Sequence, residues 1–384
     1  MGDSILQRIA FALEYPVVFT RTAFARDNAS VAATLSRREP GRRHRFVAIV
    51  DGGVAARWPE LFADIEAYAR HHDLELAAPP WTVPGGEPAK QASIVDELHR
   101  RLAALHIDRH SFVIAIGGGA MLDVVGYAAA TLHRGVRLVR MPTTVLGQND
   151  AGVGVKNGIN AFGAKNFLGT FAAPFAVIND SRFLATLEPR DRIAGMAEAV
   201  KVALIRDAGF FTWLVEHAAA LAAFETEAVE HMIHRCAELH LAHIAGGGDP
   251  FEQGNARPLD FGHWAAHKLE MLTEHAVRHG EAVAIGMALD SRYAVEAGLL
   301  SEREYAAIVG LLGRLGLPVW HDVLRDPALS AGLGEFREHL GGELCLTLVS
   351  GLGHPIEVRE IDGALLARAI EQLDPARRVA AQLG

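Results

Sequence analysis

Cysteine and long apolar runs are scarce in this sequence of 384 residues. The two cysteines, Cys236 and Cys345, lie far apart and outside any Cys-x-x-Cys pattern. This pattern favours neither a disulfide framework nor a thiolate metal site, and it indicates a reducing compartment. No apolar run reaches the roughly 18 residues that a membrane-spanning helix needs. The apolar N-terminal stretch is broken by Glu14 and Pro16 and carries no cleavage pattern. We therefore expect a cytoplasmic protein without a membrane segment.

Lysine is scarce as well, although positive charge is not. Of the 37 basic residues, five are lysine and the other 32 are arginine, and the net charge is -9. An acidic chain of this kind is not expected to coat nucleic acid or to bind membranes through a basic surface. Because arginine serves wherever only charge is needed, each lysine marks a position where a compact ammonium group is useful. The lysines are Lys90, Lys156, Lys165, Lys201 and Lys268.

The first half of the chain has the pattern of a parallel sheet covered by helices. Short β-branched runs alternate there with helical periodicity, which predicts an α/β fold. Strands are predicted at 45–51, 74–78, 111–116, 136–141 and 175–179, and helices at 58–72, 89–105 and 120–132. The segment 142–174 is predicted to be a long functional loop, too polar and glycine-rich at 142–160 for a buried element.

The second half is predicted to be a mostly helical domain. Helical periodicity covers 190–207, 210–223, 225–244, 262–275, 281–297 and 302–315, with strands only at 343–349 and 356–359. We place the boundary so that the domains span residues 1–187 and 188–384. The length of the chain agrees with two domains.

A glycine triplet, Gly117 to Gly119, joins a predicted strand to a helix. Such a turn allows a phosphate close to the backbone, and the helix N-terminus offers free N–H groups, although tight packing alone also explains it. Asp123 in the first helical turn could either stabilise that helix end or bind a ribose hydroxyl, and Asp51 ends a strand at a position where a ribose is commonly bound. The hydroxyl, amide and ammonium groups of the segment after the next strand suit an oxyanion.

Candidate metal ligands lie in the helical half. His263 and His267 share a helix face, but Trp264 stands where a zinc protease needs glutamate, so that class is excluded. His279 begins another helix. Glu198 and Lys201 share the face of an apolar helix, which an internal salt bridge also explains. Three nitrogen or oxygen donors that converge on one point, with one position left open, form a catalytic zinc site. The spacing of these residues in the sequence does not by itself show that they converge.

Together, these motifs resemble 3-dehydroquinate synthase and its sugar phosphate cyclase relatives. The matching residues occur in the family's order over roughly residues 45 to 300: Gly117-Gly118-Gly119-x-x-x-Asp123, Arg134-Gly135, Pro142-Thr143-Thr144, Asp150 through Lys156, Lys165-Asn166, Gly195-x-Ala197-Glu198-x-x-Lys201, Gly262-His263 and His279-Gly280-Glu281-Ala282. The resemblance implies a Rossmann-like NAD-binding domain followed by a mostly helical metal- and substrate-binding domain, usually in a homodimer.

The resemblance also implies three sets of site residues. Zinc or cobalt would be bound by Glu198, His263 and His279. NAD would be surrounded by Asp51, Glu87, Lys90, Gly118, Gly119, Ala120, Asp123, Thr143, Thr144, Asp150, Lys156, Lys165, Phe183, Thr186 and Leu187. A small sugar phosphate would be contacted by Lys156, Asn166, Lys201, His240, Arg257, Asp260 and His267, with Arg134 reaching it across the dimer interface. Four of the five lysines belong to these sets, which leaves a surface position for Lys268.

The implied reaction uses NAD transiently. A substrate hydroxyl is oxidised, the neighbouring C–H becomes acidic enough for phosphate elimination, and the hydride is returned. The sugar ring then opens, and an intramolecular aldol step closes a carbocycle.

Departures from the family pattern concern the substrate. Dehydroquinate synthases carry Arg-x-x-Leu-Asn-x-Gly-His before the first zinc histidine, whereas here Asp260 replaces the asparagine and the spacing is one residue shorter. His240 matches a lysine that helps to hold the substrate carboxylate, and a later basic position falls among Arg337, Glu338 and His339. These changes disfavour a carboxylate-bearing substrate.

The sequence thus leaves three enzyme hypotheses. The first is a cyclase acting on a sedoheptulose 7-phosphate-like substrate, similar to valiolone-type cyclases and to the subgroup associated with ebo operons. The second is an authentic 3-dehydroquinate synthase, which would need His240, Arg257 and His339 to hold the carboxylate. The third is a polyol dehydrogenase on the related two-domain fold. A catalytically inactive binding protein is disfavoured because the proposed metal ligands are all present.

Overall fold

The computed structural model describes residues 4–9, 12–248, 258–339 and 344–376. Its strands are β1 (Val17–Thr20), β2 (Arg45–Asp51), β3 (Glu75–Leu76), β4 (Trp81–Val83), β5 (Phe112–Gly117), β6 (Arg137–Pro142), β7 (Lys156–Ala161), β8 (Ala164–Phe171), β9 (Ala176–Asp180), β10 (Leu346–Val349) and β11 (Pro355–Val358). Its helices are α1 (Ser30–Ser36), α2 (Gly52–Arg57), α3 (Leu61–His71), α4 (Ala92–Ala104), α5 (Gly119–Thr131), α6 (Pro189–Ala194), α7 (Ala197–Arg206), α8 (Ala208–Glu216), α9 (Ala218–Ala222), α10 (Thr226–Ala245), α11 (His263–Leu272), α12 (His279–Glu296), α13 (Glu302–Leu315), α14 (Ala328–His339) and α15 (Gly363–Leu373).

A parallel sheet forms the centre of the first half, in the order β1-β9-β6-β5-β2-β3, and β4 continues the β3 edge beside β2. The apolar residues of β2 and β5 are buried because helices cover both faces of the sheet. One core lies under α1 and α3, and the other under α4 and α5. Because the strands are parallel, Asp51, Gly117 and Pro142 all lie at the same carboxyl edge, above which ligands bind in such sheets.

The helical half has one large hydrophobic core around α12. Residues on nearly every side of this helix are buried, so it runs through the middle of the half and does not lie on its surface. The α/β class with a helical second part is confirmed, whereas the boundary between residues 187 and 188 stays a prediction. Among the described residues, no helix is both long and apolar enough to cross a membrane.

Several elements differ from the sequence prediction. The strand predicted at 45–51 and the helix at 302–315 have the predicted bounds, but β1, α14 and α15 were not predicted. The predicted helices 190–207 and 210–223 are each divided in two. Cys236 and Cys345 are buried, and within the described chain they form no disulfide, in agreement with the sequence.

The expectation of one long loop over 142–174 was wrong. The segment forms a π-helical turn at Gly147–Ala151 and then the hairpin β7–β8. Two polar side chains of the turn are buried because they satisfy the backbone: Gln148 donates to the carbonyls of Pro142 and Asp180, and Asn149 donates to that of Gly195. In this turn, polarity therefore indicated an internal hydrogen-bond network, whereas most of β8 is exposed.

The surface position expected for Lys268 was also wrong. Its side chain is buried and pairs with Glu335 on α14, at 2.5 Å. The stem of the lysine packs against Gly332 of the same helix. Since α14 was not predicted from the sequence, this partner could not be foreseen.

Candidate functional site

Three helix N-termini bring together one carboxylate and two imidazoles. Glu198 lies in the first turn of α7, His263 begins α11 and His279 begins α12. One ligand atom of each lies within 4.8 Å of the others. The structure therefore places together, from three separate helices, the residues that the resemblance implied as metal ligands.

Glu198 is fully enclosed and lacks hydrogen bonds on the side that faces the histidines. Its Oε1 lies 3.8 Å from Nε2 of His263 and 3.8 Å from Nε2 of His279, and no donor in the described chain hydrogen-bonds it. Its Oε2 forms an ion pair with Lys201. A buried carboxylate oxygen without a donor is costly, so a cation between the three side chains would stabilise it.

The other ring nitrogen of each histidine is held by an acceptor. Nδ1 of His263 lies 3.1 Å from the carbonyl oxygen of Phe261, and Nδ1 of His279 lies 3.1 Å from Oε2 of Glu270. A proton on each Nδ1 leaves the lone pair of Nε2 directed toward Glu198, which is the arrangement of metal-bound histidines.

The electrostatic surroundings of the two histidines differ. Burial holds the pKa of His263 well below its ordinary value, helped by the charge of Lys201, so this ring stays neutral. Burial alone would also lower the pKa of His279, but the hydrogen bond and charge of Glu270 outweigh it and raise the pKa. Glu270 therefore makes Nε2 of His279 a more basic donor.

Two glycines allow the helices to approach this closely. A β-carbon at Gly280 would lie 1.8 Å from the carbonyl oxygen of Ala194, which precedes α7. Gly262 has φ of +78°, and a β-carbon there would lie 2.8 Å from the backbone nitrogen of Met287. Side chains at these positions would push α7, α11 and α12 apart.

The donor set suits a divalent metal ion of the zinc type. Two imidazole nitrogens and one carboxylate oxygen, with a cavity beside them, match a catalytic zinc site with one position left for a substrate. Further support comes from the carboxylate without a donor and from the second hydrogen bond of each histidine. The residues present therefore fit the metal.

Replacing Glu270 by glutamine should weaken the metal site without removing a ligand. An amide still accepts from Nδ1 of His279 but carries no charge, so the basicity of Nε2 falls. We expect a metal affinity lower by about 10- to 100-fold, measured by competition with a chromophoric chelator. Glu274→Gln, an exposed change in the turn after α11, is the control and should leave the affinity unchanged. Equal affinities of Glu270→Gln and the parent protein would contradict the prediction.

A first cavity, here called the glycine cleft, lies at the carboxyl edge of the sheet. It has a volume of about 470 Å³. Its lining includes Asp51, Gly118, Gly119, Ala120, Thr143, Thr144, Thr186 and Leu187 from the predicted NAD set, together with Gly86, Glu188, Gly195, Arg278 and His279. The structure thus brings eight of the predicted NAD residues to one cleft.

The cleft fits a phosphate-bearing cofactor. Gly118 precedes α5 without any side chain capping the helix, so the free N–H groups of its first turn are available to a pyrophosphate. A β-carbon at Gly118 would lie 3.3 Å from Cγ2 of Thr144 and would fill the cradle. Asp51 caps α2 by accepting from the N–H of Gly53 at 2.8 Å, which fixes its carboxylate at the rim of the cleft.

A second cavity, here called the histidine cavity, has a volume of about 640 Å³. Its lining includes Asp123, Asp150, Lys156, Asn166, Lys201, His240, Asp260, His263, His267, His279 and Phe336. His279 also lines the glycine cleft, so the two cavities meet at a candidate metal ligand. A cofactor in one and a substrate in the other would thus approach each other beside the metal site.

Not all residues of the predicted NAD set line the glycine cleft. Lys90 is buried, pairs with Asp123 at 2.5 Å and donates to Asn166 at 2.6 Å. Glu87 accepts from Asn160, and Lys165 lies 3.7 Å from Glu270. The phenyl ring of Phe183 lies in the hydrophobic core against Trp58, and Phe183 does not line the glycine cleft.

Of four further predicted positions, two lie apart from both cavities, and the side chains of the other two lie outside the described part of the chain. Arg134 is exposed in the turn after α5 and lines neither cavity. Arg337 lines a separate hollow with Arg359, and Phe336 before it takes the place in the histidine cavity. Arg257 lies outside the described residues, as does the side chain of His339.

The position that the resemblance matches to a lysine is occupied by His240, which has a carboxylate beside it. Nδ1 of His240 lies 3.0 Å from Oδ1 of Asp150. Burial alone would raise the pKa of Asp150, but His240 and Lys201 hold it well below its usual range, so the carboxylate is charged. Burial alone would lower the pKa of Lys201, but Glu198 and Asp150 raise it. Lys201 and His240, which both line the histidine cavity, therefore each lie close to a carboxylate.

Sequence reasoning missed a buried arginine on β6. Arg140 is fully buried and donates to the carbonyl oxygens of Gly154 and Lys156, each at 2.8 Å, and to Oδ1 of Asn157 at 2.6 Å. It therefore fixes the backbone between Asp150 and Lys156, two residues of the histidine cavity. The sequence signal that could have revealed this role was an arginine inside a strand that was predicted to be buried.

Comparison with known proteins finds relatives over most of the chain. Residues 80–194 match the family model described as 3-dehydroquinate synthase N-terminal, and residues 195–334 match the one described as 3-dehydroquinate synthase C-terminal. The chain is 37% identical to the 3-dehydroquinate synthase of Paracoccus denitrificans (strain Pd 1222), over 77% of this chain and 82% of that protein.

Two solved structures share the architecture. ValA, the 2-epi-5-epi-valiolone synthase of Streptomyces hygroscopicus subsp. jinggangensis 5008, was solved with NAD+ and Zn2+ bound; the match has a TM-score of 0.87 at 31% identity and covers 97% of this chain and 100% of ValA. The 2-deoxy-scyllo-inosose synthase complexed with carbaglucose-6-phosphate, NAD+ and Co2+ matches with a TM-score of 0.75 at 25% identity, over 92% of this chain and 95% of that one.

Proposed function

This chain belongs to the 3-dehydroquinate synthase family, and from that membership we propose that it is a lyase, a metal- and NAD-dependent sugar phosphate cyclase acting on a sedoheptulose 7-phosphate-like substrate. The observation that carries the choice of substrate is the charge of the histidine cavity. Asp260 lines it, and His240 is paired with Asp150. A substrate carboxylate would meet the like charge of Asp260, whereas a hydroxymethyl group would donate a hydrogen bond to that carboxylate.

The cofactors are proposed from the fit of the residues and from the bound groups of the two similar structures. Glu198, His263 and His279 would hold zinc or cobalt, and the glycine cleft would hold NAD. When bound, NAD supplies a hydride acceptor that later returns the hydride, and the metal supplies Lewis acidity at a substrate hydroxyl.

The residues of the chain bind the substrate and handle its protons. Lys156 and Asn166 lie on the hairpin side of the histidine cavity and are assigned to the phosphate. His267 lies on the same helix as His263, with ring centroids 5.6 Å apart, and is assigned to transfer of the hydroxyl proton. Lys201 keeps its proton and donates to substrate oxygens. Enclosure of one flexible molecule also brings its two aldol carbons together, which lowers the entropic part of that barrier.

A homodimer is part of the same proposal. Arg134 is exposed and lines neither cavity of its own chain, which agrees with a contact to the substrate phosphate in a second copy. The hairpin β7–β8 also exposes Phe162 and Phe171, which would be covered by a neighbouring chain.

Phosphate release from two sugar phosphates tests the substrate. With NAD and zinc or cobalt, we expect the protein to release phosphate from sedoheptulose 7-phosphate and to accumulate no NADH. Asp260→Asn should raise the activity on the seven-carbon 2-keto acid phosphate relative to sedoheptulose 7-phosphate by about tenfold, because it removes one like-charge contact. The products are followed by a phosphate assay and by mass spectrometry.

The other outcomes identify the alternatives. Release only from the 2-keto acid phosphate would overturn the proposal in favour of an authentic 3-dehydroquinate synthase, which the identity to the Paracoccus protein favours as the second candidate. Net NADH formation with a simple alcohol would instead indicate a polyol dehydrogenase.

A further inference from the structure

Asp290 is a buried carboxylate next to the metal site that the proposed chemistry does not use. It lies on α12, eleven residues after His279, and only 3% of its surface is exposed. It accepts hydrogen bonds from the backbone N–H of Gly262 at 3.0 Å and from Nε1 of Trp264 at 2.8 Å. Its two donors are therefore the residues on either side of His263.

The electrostatics of this carboxylate are unusual for a purely structural position. Burial raises the pKa of Asp290 to about 7, and the two hydrogen bonds only partly oppose that effect. A carboxyl group at such a position is costly to bury unless hydrogen bonds satisfy it. An apolar side chain would fill the same volume at lower cost, but it would leave the N–H of Gly262 and the indole N–H of Trp264 buried and unpaired.

Backbone packing fixes the same turn at a second point. A β-carbon at Gly286, one helical turn before Asp290, would lie 2.0 Å from the carbonyl oxygen of Gly262. The N–H of Gly262 is held by Asp290, and its carbonyl contacts the backbone of α12, so the peptide groups on both sides of its α-carbon are located by this helix. Since Gly262 has positive φ, it sets the direction in which His263 enters α11.

We propose that Asp290 is a positioning residue for the metal site: through Gly262 and Trp264 it directs Nε2 of His263 toward Glu198 and His279. Because α12 begins with His279, one helix then sets the relative placement of both imidazoles. This inference rests on the metal site of the proposed function. It adds that the geometry of the site depends on a carboxylate that, among the described residues, forms no hydrogen bond or ion pair with the side chains of the metal ligands.

Asp290→Asn tests the proposal on the full-length protein stripped of metal and titrated with cobalt(II). An asparagine of the same shape has one oxygen for two donors, so its NH2 group must face either the N–H of Gly262 or that of Trp264. We expect cobalt to bind about 10- to 100-fold more weakly, with a changed visible absorption spectrum, because the ligand angle at His263 changes.

A second substitution provides the rescue. In Asp290→Asn combined with Trp264→Phe, the indole donor is gone, so the asparagine oxygen can accept from Gly262 while its NH2 group faces no donor. We expect the double variant to recover most of the cobalt affinity and the parent spectrum. A residue that merely contributed to stability would show two additive losses.

Asp180→Asn is the matched control. Asp180 is also fully buried and accepts backbone hydrogen bonds from Thr22 and Ala23, but it lies in the sheet half and lines neither cavity. It should lower the midpoint of urea unfolding and leave the cobalt spectrum unchanged. An equal loss of affinity in both asparagine variants would overturn the positioning role.

The remaining outcomes separate this inference from the proposed function. If the parent protein binds cobalt and Asp290→Asn binds it equally well with the same spectrum, only the role of Asp290 is refuted. If the parent protein binds neither cobalt nor zinc, the metal site itself is refuted, and the role of Asp290 with it.

Discussion

Replacing His279 by alanine is expected to abolish both metal binding and phosphate release. The change removes one of three donors whose ligand atoms lie within 4.8 Å of one another. It also leaves the Oε2 of Glu270 without its imidazole partner in a largely buried position. Loss of an outer hydrogen-bond partner alone costs about 10- to 100-fold in metal affinity, so loss of the ligand should cost more. Metal content after dialysis and phosphate release measure the two effects.

His275→Ala is the control for this prediction. His275 is exposed in the turn that precedes α12, and Nδ1 of its imidazole lies 3.4 Å from Nζ of Lys165. Like His279→Ala, this change removes one imidazole from the same segment. It therefore matches the loss of side-chain volume but removes no candidate metal ligand. We expect full metal content and turnover. Retained metal in His279→Ala would show that the ion is bound elsewhere.

The sequence predicted the fold class because its strands are continuous apolar runs. β2 has the predicted bounds, and β5 is buried throughout, as expected for strands covered on both faces. The sequence also predicted that Asp51 and the glycine triplet lie at the same edge of the sheet, because the carboxyl ends of parallel strands lie at one edge. The prediction that failed, for residues 142–174, concerned a segment whose amides bond to other parts of the chain.

The candidate ligands could be picked out in the sequence by residue type, but that Glu198, His263 and His279 form one set came only from the resemblance. The spacing of His263 and His267 suggested a pair on one helix, but His279 on the next helix joins Glu198 and His263 in the structure. The membership of the family is confirmed by the matched models, whereas the role of each residue stays a prediction.

The residues that hold the metal ligands in place could not be predicted from local sequence patterns. Glu270 contacts His279 across a turn, and Asp290 contacts Gly262 from another helix. Each of these contacts depends on how α11 packs against α12, and nothing in either helix alone specifies it. A buried polar residue inside an apolar helix, such as Asp290, was the only local signal that a partner existed.

Arg140→Met is expected to give the largest loss of stability among single changes outside the metal site. The guanidinium holds the backbone carbonyls of Gly154 and Lys156 and the side chain of Asn157. Methionine fills part of the volume and removes the cost of burying a charge, which often makes such replacements neutral when both partners are exchanged. Here the acceptors are mainly main-chain groups that no substitution removes, so they remain buried and unpaired. We expect a loss of about 3–5 kcal/mol in the free energy of unfolding, measured by urea titration.

The same change should reduce turnover in the molecules that remain folded, because Arg140 holds the segment between Asp150 and Lys156. Arg140→Lys keeps the charge but has one nitrogen in place of a fork, so it cannot bond both ends of the segment, and its stability should fall between those of the parent and the methionine variant. Arg137→Met is the control on the same strand, where the ion pair with Glu39 is partly exposed and screened by water, so its loss should lower the stability much less than Arg140→Met does. Equal losses from Arg137→Met and Arg140→Met would contradict the prediction, since the backbone acceptors would then not depend on the buried guanidinium.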